Sequence, residues 1–312
     1  MHRGVTTWRS TTADGTSLDL IRFDFSSNPR LHFAMYDQDE DDANPFDDQA
    51  DYVPRGVGHV VEHLNKRTNE RVIAAWNGLF FAYDRSPGSP AQGWARHIGP
   101  NVIRGKVRFN VGRHRWTFGV KKVAGKPDFR AIFQPTIPQL NGTFDYAADG
   151  AQLLIKDGAS LRIQPFEESL KGPRPVDSVL DAGAIPGVDW MRTSRTSMAW
   201  SKDGRYFWLL VVMESDHEVG SKLASKYGGE DRGGWTLSDL QRFWHKVGVW
   251  GAVNSDGGVV TQLATISPNG GYVLLPPLQA GLRGRIHLDD LSKAPSGGSL
   301  MTFYVSDISK VP

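Results

Sequence analysis

Cysteine is absent from the 312 residues, which excludes disulfides, thiol nucleophiles and cysteine-bearing metal sites but leaves the compartment open. No stretch approaches the ~18 uninterrupted apolar residues that cross a bilayer. The opening residues, MHRGVTTWRS, lack the apolar run of a secretory signal, so the chain is expected to be soluble. Runs of Lys and Arg that bind phosphate backbones are missing and the net charge is only +2, so no nucleic-acid partner is expected. HExxH does not occur, and no metal ligand set is predicted. No feature specifies an oligomeric state.

What is present is glycine and tryptophan: 34 Gly and ten Trp, in a chain that is 39% hydrophobic and 22% charged. That balance suits a globular protein with a sizeable core. Aromatic, glycine-rich chains of this kind are often strand-rich and often bind sugars.

Residues 5–36 alternate in strand fashion around Asp14-Gly15, a hairpin signal. An acidic stretch follows, with Asp37, Asp39, Glu40, Asp41, Asp42, Asp47, Asp48 and Asp51. It lacks the EF-hand glycine and reads as a solvated loop rather than a calcium loop. Val57, Val60, Val61 and Leu64 have helical spacing, which predicts an amphipathic helix over 57–68 and then a short strand, 71–76, ending at Asn77-Gly78. Residues 82–105, with Trp94 and His97, read as a loop; 106–163 read as strands; 165–190 read as a surface crossing.

SRTSMAWS and RYFWLLVVM form a clear hairpin pattern around Lys202-Asp203-Gly204-Arg205. A two-residue turn at Asp203-Gly204 pairs 195 with 212 and sets Arg195 diagonal to Glu214. Residues 214–234, with Asp216, His217, Glu218, Glu230 and Asp231, read as a polar excursion suited to a lid, and His217 as a candidate acid. Thr236 and Asp239 suit a capping box for a helix over 237–247, and Gly248 suits its stop. A strand at 250–253 leads to the turn Asn254-Ser255-Asp256-Gly257-Gly258. The helix–strand–Asn order of 57–77 thus repeats in 237–254, and if the two units adjoin, Asn77 and Asp256 share one rim. MTFYVSDI, near the end, reads as a terminal edge strand.

Four of these stretches, in this order, carry a family pattern: Asn77-Gly78-x-Phe80-Phe81, Arg195-Thr196, Gly234-x-Thr-Leu-x-Asp-Leu and Asn254-x-Asp256-Gly257-Gly258. They resemble the phosphodiester glycosidase family. The resemblance implies an α+β fold, a largely antiparallel sheet with a few packed helices, as one domain over 1–312. The motif core lies at about 57–275, with N-terminal strands and the acidic loop before it and a C-terminal extension from 276. It also implies hydrolysis of a sugar–phosphate diester at the anomeric carbon, and is compatible with an extracytoplasmic location. The chain departs from the pattern at Leu79, Ser255, Val259 and Val260, where the family usually has Gly, an apolar residue, Gly and Ser. Those departures motivate an alternative, a carbohydrate-binding or wall-associated domain that keeps the scaffold without turnover.

Glycoside cleavage passes through an oxocarbenium-like transition state usually served by two carboxyl groups. Asp256 is the candidate nucleophile or general base, and Glu214 the second carboxylate. Arg195 is the candidate phosphate clamp, because its planar fork matches two oxygens. Asn77 would orient a sugar hydroxyl or a carboxylate. Gly78, Thr196, Asn254, Gly257, Gly258 and Thr261 are the candidate substrate-binding residues, with the Gly257 and Gly258 amides as phosphate donors. No cofactor is required; calcium suits the carboxylates by residue type but has no spacing to support it. The expected partner is a carbohydrate or glycosyl-phosphate substrate.

Overall fold

Strand patterning dominates the structure, a computed structural model that describes residues 2–41, 51–67, 70–83, 95–109, 116–163, 192–215, 233–282 and 284–308. In chain order the strands are β1 (Val5–Thr11), β2 (Ser17–Asp24), β3 (Leu31–Asp37), β4 (Asp51–Tyr52), β5 (Arg71–Asn77), β6 (Phe81–Tyr83), β7 (Ala95–His97), β8 (Asn101–Ile103), β9 (Lys106–Phe109) and β10 (Trp116–Val123). There follow β11 (Lys126–Phe133), β12 (Tyr146–Lys156), β13 (Ala159–Ser160), β14 (Arg195–Trp200), β15 (Tyr206–Met213), β16 (Gly251–Asn254), β17 (Leu263–Ile266), β18 (Tyr272–Leu275), β19 (Ile286–Leu288) and β20 (Met301–Asp307). Among the described residues the α-helices are α1 (Val57–Arg67), the single turn α2 (Ile137–Leu140) and α3 (Leu237–Val247).

The larger sheet runs β1-β2-β15-β14-β16-β12-β10-β11, with β8, β9 and β13 attached to it. A second sheet runs β19-β18-β17-β5-β20-β3, and β4, β7 and β6 form a small third one. The pairings are antiparallel. Alternation along each strand sends one set of side chains inward and the other outward. Inward residues of the two large sheets meet in one core, with Trp76, Phe303 and Val305 on one side and Met198, Phe207 and Val253 on the other. Phe33 is the hub: its ring lies 5.0 Å from Phe207, 5.2 Å from Phe129 and 5.7 Å from Phe303.

Among the described residues each of the two large sheets carries one long helix on its outer face. Val57, Val60, Val61 and Leu64 of α1 pack on outward residues of β3, β5 and β20. Leu237, Leu240 and Trp244 of α3 pack on outward residues of β12, β14, β15 and β16. The result is a four-layer arrangement, helix–sheet–sheet–helix. The two helix–strand–Asn units therefore face each other across the core, rather than lying side by side in one sheet. α3 has the expected ends: Thr236 and Asp239 complete a capping box, and Gly248 closes the helix at φ 78°.

Several expectations need correction. Residues 82–105 are not one loop, since parts of them form β6, β7 and β8. These strands are three residues each, too short to show alternation. MTFYVSDI is not an edge: β20 lies between β5 and β3. The β14–β15 register is as expected, Arg195 opposite Val212, but Ser201 and Tyr206 are hydrogen-bonded across a longer loop. The described part of the acidic stretch is not simply solvated. Asp37 is buried against His97 Nε2 at 2.9 Å, and Glu40 and Asp41 pair with Arg67 at 2.6 and 2.9 Å. Residues 42–50, Trp94, all of the 165–190 crossing, and Asp216, His217, Glu218, Glu230 and Asp231 lie outside the described residues.

Candidate active site

β5 of one sheet and β14 and β16 of the other end at the same rim, and their end residues are tied together. Asn77 closes β5 and is buried. Its Nδ2 donates to the Asp256 carbonyl at 2.8 Å, while its Oδ1 accepts from Thr196 Oγ1 at 2.9 Å and from the Gln262 amide at 3.1 Å. One side chain thereby joins three segments distant in sequence. The Asn254–Gly258 turn is fixed from its other side: the Ser255 amide donates to the Thr196 carbonyl, and the Gly258 amide to the Ser194 carbonyl, each at 2.8 Å. Ser255 Oγ donates to the Gly78 carbonyl at 2.5 Å.

Arg195 opens β14 and is 3% exposed. Its Nε donates to the Trp235 carbonyl at 3.0 Å, which brings the Gly234 motif to the same rim and fixes the plane of the guanidinium. Thr193 and Trp235 are bridged through both backbones, which seats the start of the α3 segment beside Arg195. Glu214, just past β15, accepts at Oε2 from Thr193 Oγ1 and from the Ser194 amide, both at 3.0 Å. Ser194 Oγ in turn accepts from the Glu214 amide at 3.0 Å. All four motifs thus converge at one end of the sandwich.

The geometry revises several roles. Instead of facing a ligand, the Gly257 amide donates to Asp256 Oδ1 at 2.8 Å, and the Gly258 amide is the donor to Ser194 already described. Glu214 ties strand ends together rather than pairing diagonally with Arg195. Thr196, Asn254 and Thr261 are fully buried and stand behind the surface as supports. Asn254 Nδ2 donates to Gln152 Oε1 and to the Ser255 carbonyl, each at 2.7 Å. Gly78 is a glycine because β20 approaches it: a Cβ there would lie 2.1 Å from Met301 Cγ and 2.6 Å from the Met301 carbonyl oxygen. Asp256, Gly257 and Gly258 are the partly exposed members of the turn, and Val259 beside them is 56% exposed.

Gln262 and the Asp37–His97 pair belong to this end of the sheets without any motif to mark them. Gln262 accepts at Oε1 from the Val57 amide at 2.7 Å, so one residue links Asn77 to the first turn of α1. No spacing marks it; a buried glutamine is visible only once the fold is known. Asn101 Nδ2 donates to Asp37 Oδ2 at 3.2 Å beside His97, completing a buried polar group near this end of the sheets. The spacing His59-x-x-x-His63 on α1 would suit a metal, but the two rings have other partners. His59 Nε2 meets the Ala294 carbonyl at 2.6 Å, and His63 Nε2 meets Asp41 at 3.2 Å. Among the described residues no cluster of three or more His, Asp or Glu is placed to hold a metal ion. No described helix is long and apolar enough to cross a membrane.

Comparison with known proteins agrees with this architecture. The structure is similar to the catalytic domain of zebrafish N-acetylglucosamine-1-phosphodiester alpha-N-acetylglucosaminidase in a form auto-inhibited by its pro-peptide, with a TM-score of 0.55 and 18% identity over 99% of this chain and 83% of that one. A hypothetical protein from Synechocystis is similar with a TM-score of 0.51 and 13% identity, over 97% of this chain and 62% of that one. At these identities the likeness is one of fold. No curated protein matches by sequence. The phosphodiester glycosidase family model matches residues 70–284, which contain all four motifs. The chain belongs to the phosphodiester glycosidase family.

Proposed function

We propose that the protein is a hydrolase that cleaves the glycosidic bond of a sugar–phosphate diester or a related glycan, with Asp256 at the reacting centre. The observation that carries this reading is the convergence of four sequence-distant motifs on one rim, centred on the Asn77–Asp256 hydrogen bond of 2.8 Å. In the reaction, the bond between the anomeric carbon and the phosphate oxygen breaks, water supplies the new hydroxyl, and a phosphomonoester leaves. A phosphate leaving group needs little protonation, so the main demand is for cationic stabilisation of its oxygens. Arg195 is assigned that role, its plane held by Trp235. Asp256 serves as nucleophile or as base toward water. Asn77 is a positioning residue: its donated hydrogen bond fixes the Asp256 backbone, and Thr196 and Gln262 fix Asn77. Glu214 acts on Arg195 through the Thr193–Ser194 segment.

The test is release of free sugar and phosphomonoester from glycosyl-phosphate diesters by the parent and by Asp256→Asn. Loss of a general acid–base or nucleophilic carboxylate should lower kcat by about 10²–10⁴-fold. Equal turnover by the two proteins would remove Asp256 from the chemistry. A second reading, a saccharide-binding domain without turnover, is favoured by one feature: the 56% exposed Val259 beside the turn. It takes over if the parent binds such diesters and cleaves none.

A further inference from the structure

A cavity of about 570 Å³ opens at the end of the sandwich opposite the candidate active site. β14 begins at Arg195 and ends at Trp200, which lines this cavity; β16 begins at Gly251, which also lines it, and ends at Asn254. At ~3.3 Å per residue, the two sites are separated by roughly 17 Å along β14. Three hairpin ends frame the opening: Val123–Lys126, the Lys156-Asp157 turn and Ser201–Gly204. The size falls within the roughly 300–1,000 Å³ range of small-molecule sites.

The cavity is built, not incidental. Trp200 lies directly on Gly251, where a Cβ would sit 2.2 Å from the indole, so only glycine lets the ring cover that backbone. The Gly204 turn rests on the Pro127 carbonyl and joins two of the hairpin ends. The half-buried Trp250 ring and exposed Val123 supply apolar surface over a buried floor of Leu153, Ile155 and Trp200.

The charge at the opening is unequal. Arg130 is neutralised by Asp128 at 2.6 Å. Asp203 accepts from Ser201 Oγ at 2.7 Å and from the Arg205 amide at 3.1 Å. Lys126, Lys156 and Lys202 have no carboxylate within ion-pair distance among the described residues. Against these three ammonium groups stand two carboxylates without a cationic partner among the described residues, Asp157 and Asp203, so the opening keeps an excess of positive charge. Lys202 Nζ is held 4.5 Å from the Trp250 ring centroid, and Lys156 Nζ 5.8 Å from that of Trp116. Aromatic faces orient these cations without neutralising them. An apolar aromatic wall beside pre-oriented cations suits a sugar ring, whose C–H face is apolar, bearing a carboxylate or phosphate.

We infer that this cavity is a second, non-catalytic binding site for an anionic saccharide unit, one that holds a charged glycan while another part of it reaches the Asp256 rim. The inference rests on the reading that the protein acts on glycans. Its test is isothermal titration of the full chain with trigalacturonate for the carboxylate arm, glucose 6-phosphate for the phosphate arm and maltotriose as the neutral control. The parent should bind at least one anionic probe, and maltotriose at least tenfold more weakly. Lys156→Glu/Lys202→Glu, which changes only exposed side chains, should weaken the anionic probe at least tenfold, and Asp256→Asn should leave it unchanged. The inference is overturned if neither anionic probe binds, if maltotriose binds equally, if the double variant binds like the parent, or if Asp256→Asn abolishes binding. Binding that depends on the lysines, with no Asp256-dependent hydrolysis, would instead defeat the catalytic assignment and leave this site standing.

Discussion

Asn77 shows how one short side chain can organise a rim. Its two polar atoms serve the Asp256 carbonyl at the partly exposed turn and the buried Thr196 and Gln262. Asn77→Ala strands those partners, and a buried polar group left unpaired costs about 1–3 kcal/mol. A loss of about 3–5 kcal/mol on urea denaturation is expected, with fold retained by the rest of the core. Asp24 offers a prediction about pH. Burial alone would raise its carboxyl, but hydrogen bonds from Arg205 and Ser27 outweigh that and hold it at about 2. A depressed carboxyl adds stability above the unfolded value near 3.8 and loses it as pH falls through about 2. Asp24→Asn should therefore lower the thermal midpoint at neutral pH, and its gap from the parent should close as pH drops from 4 to 2. At this scale the sequence was legible where a residue sits in a motif. It was not where a role depends on who faces it: Gly257 and Gly258 look like anion donors until Asp256 and Ser194 are seen taking their amides.

Elements were most legible where period and caps agree. The stripe of α1 and the Thr236–Asp239 box of α3 mark both helices within about a residue. Thr236→Ala removes a side-chain cap and should cost about 1 kcal/mol, read as a lower urea midpoint with unchanged slope. β20 was less legible, because whether a strand is central or at an edge depends on distant partners; here they are β5 and β3. Its position explains Gly78. In Gly78→Ala the new methyl meets Met301, including its carbonyl, and pushes the end of β5 away from β20. Hydrogen exchange at Asn77, Gly78 and Asp256 amides should quicken in that variant, while α3 amides keep their protection.

Across the whole molecule, two sheets share one aromatic core, and the motifs meet because two helix–strand–Asn units oppose each other through it. The order of the units was readable from the chain; their placement in separate sheets was not, since no local pattern says which strands face each other. Phe33 touches rings from both sheets, so Phe33→Ala should cost about 3–5 kcal/mol and loosen the rim as well as the core. The catalytic assignment of Asp256 and Arg195 requires substrate to bind at the rim. The most direct measurement is a crystal structure of Asp256→Asn soaked with a sugar phosphate. The expected density places the phosphate within hydrogen-bond reach of Arg195 and the sugar over residue 256. A sugar phosphate bound elsewhere, with the rim empty, would contradict it.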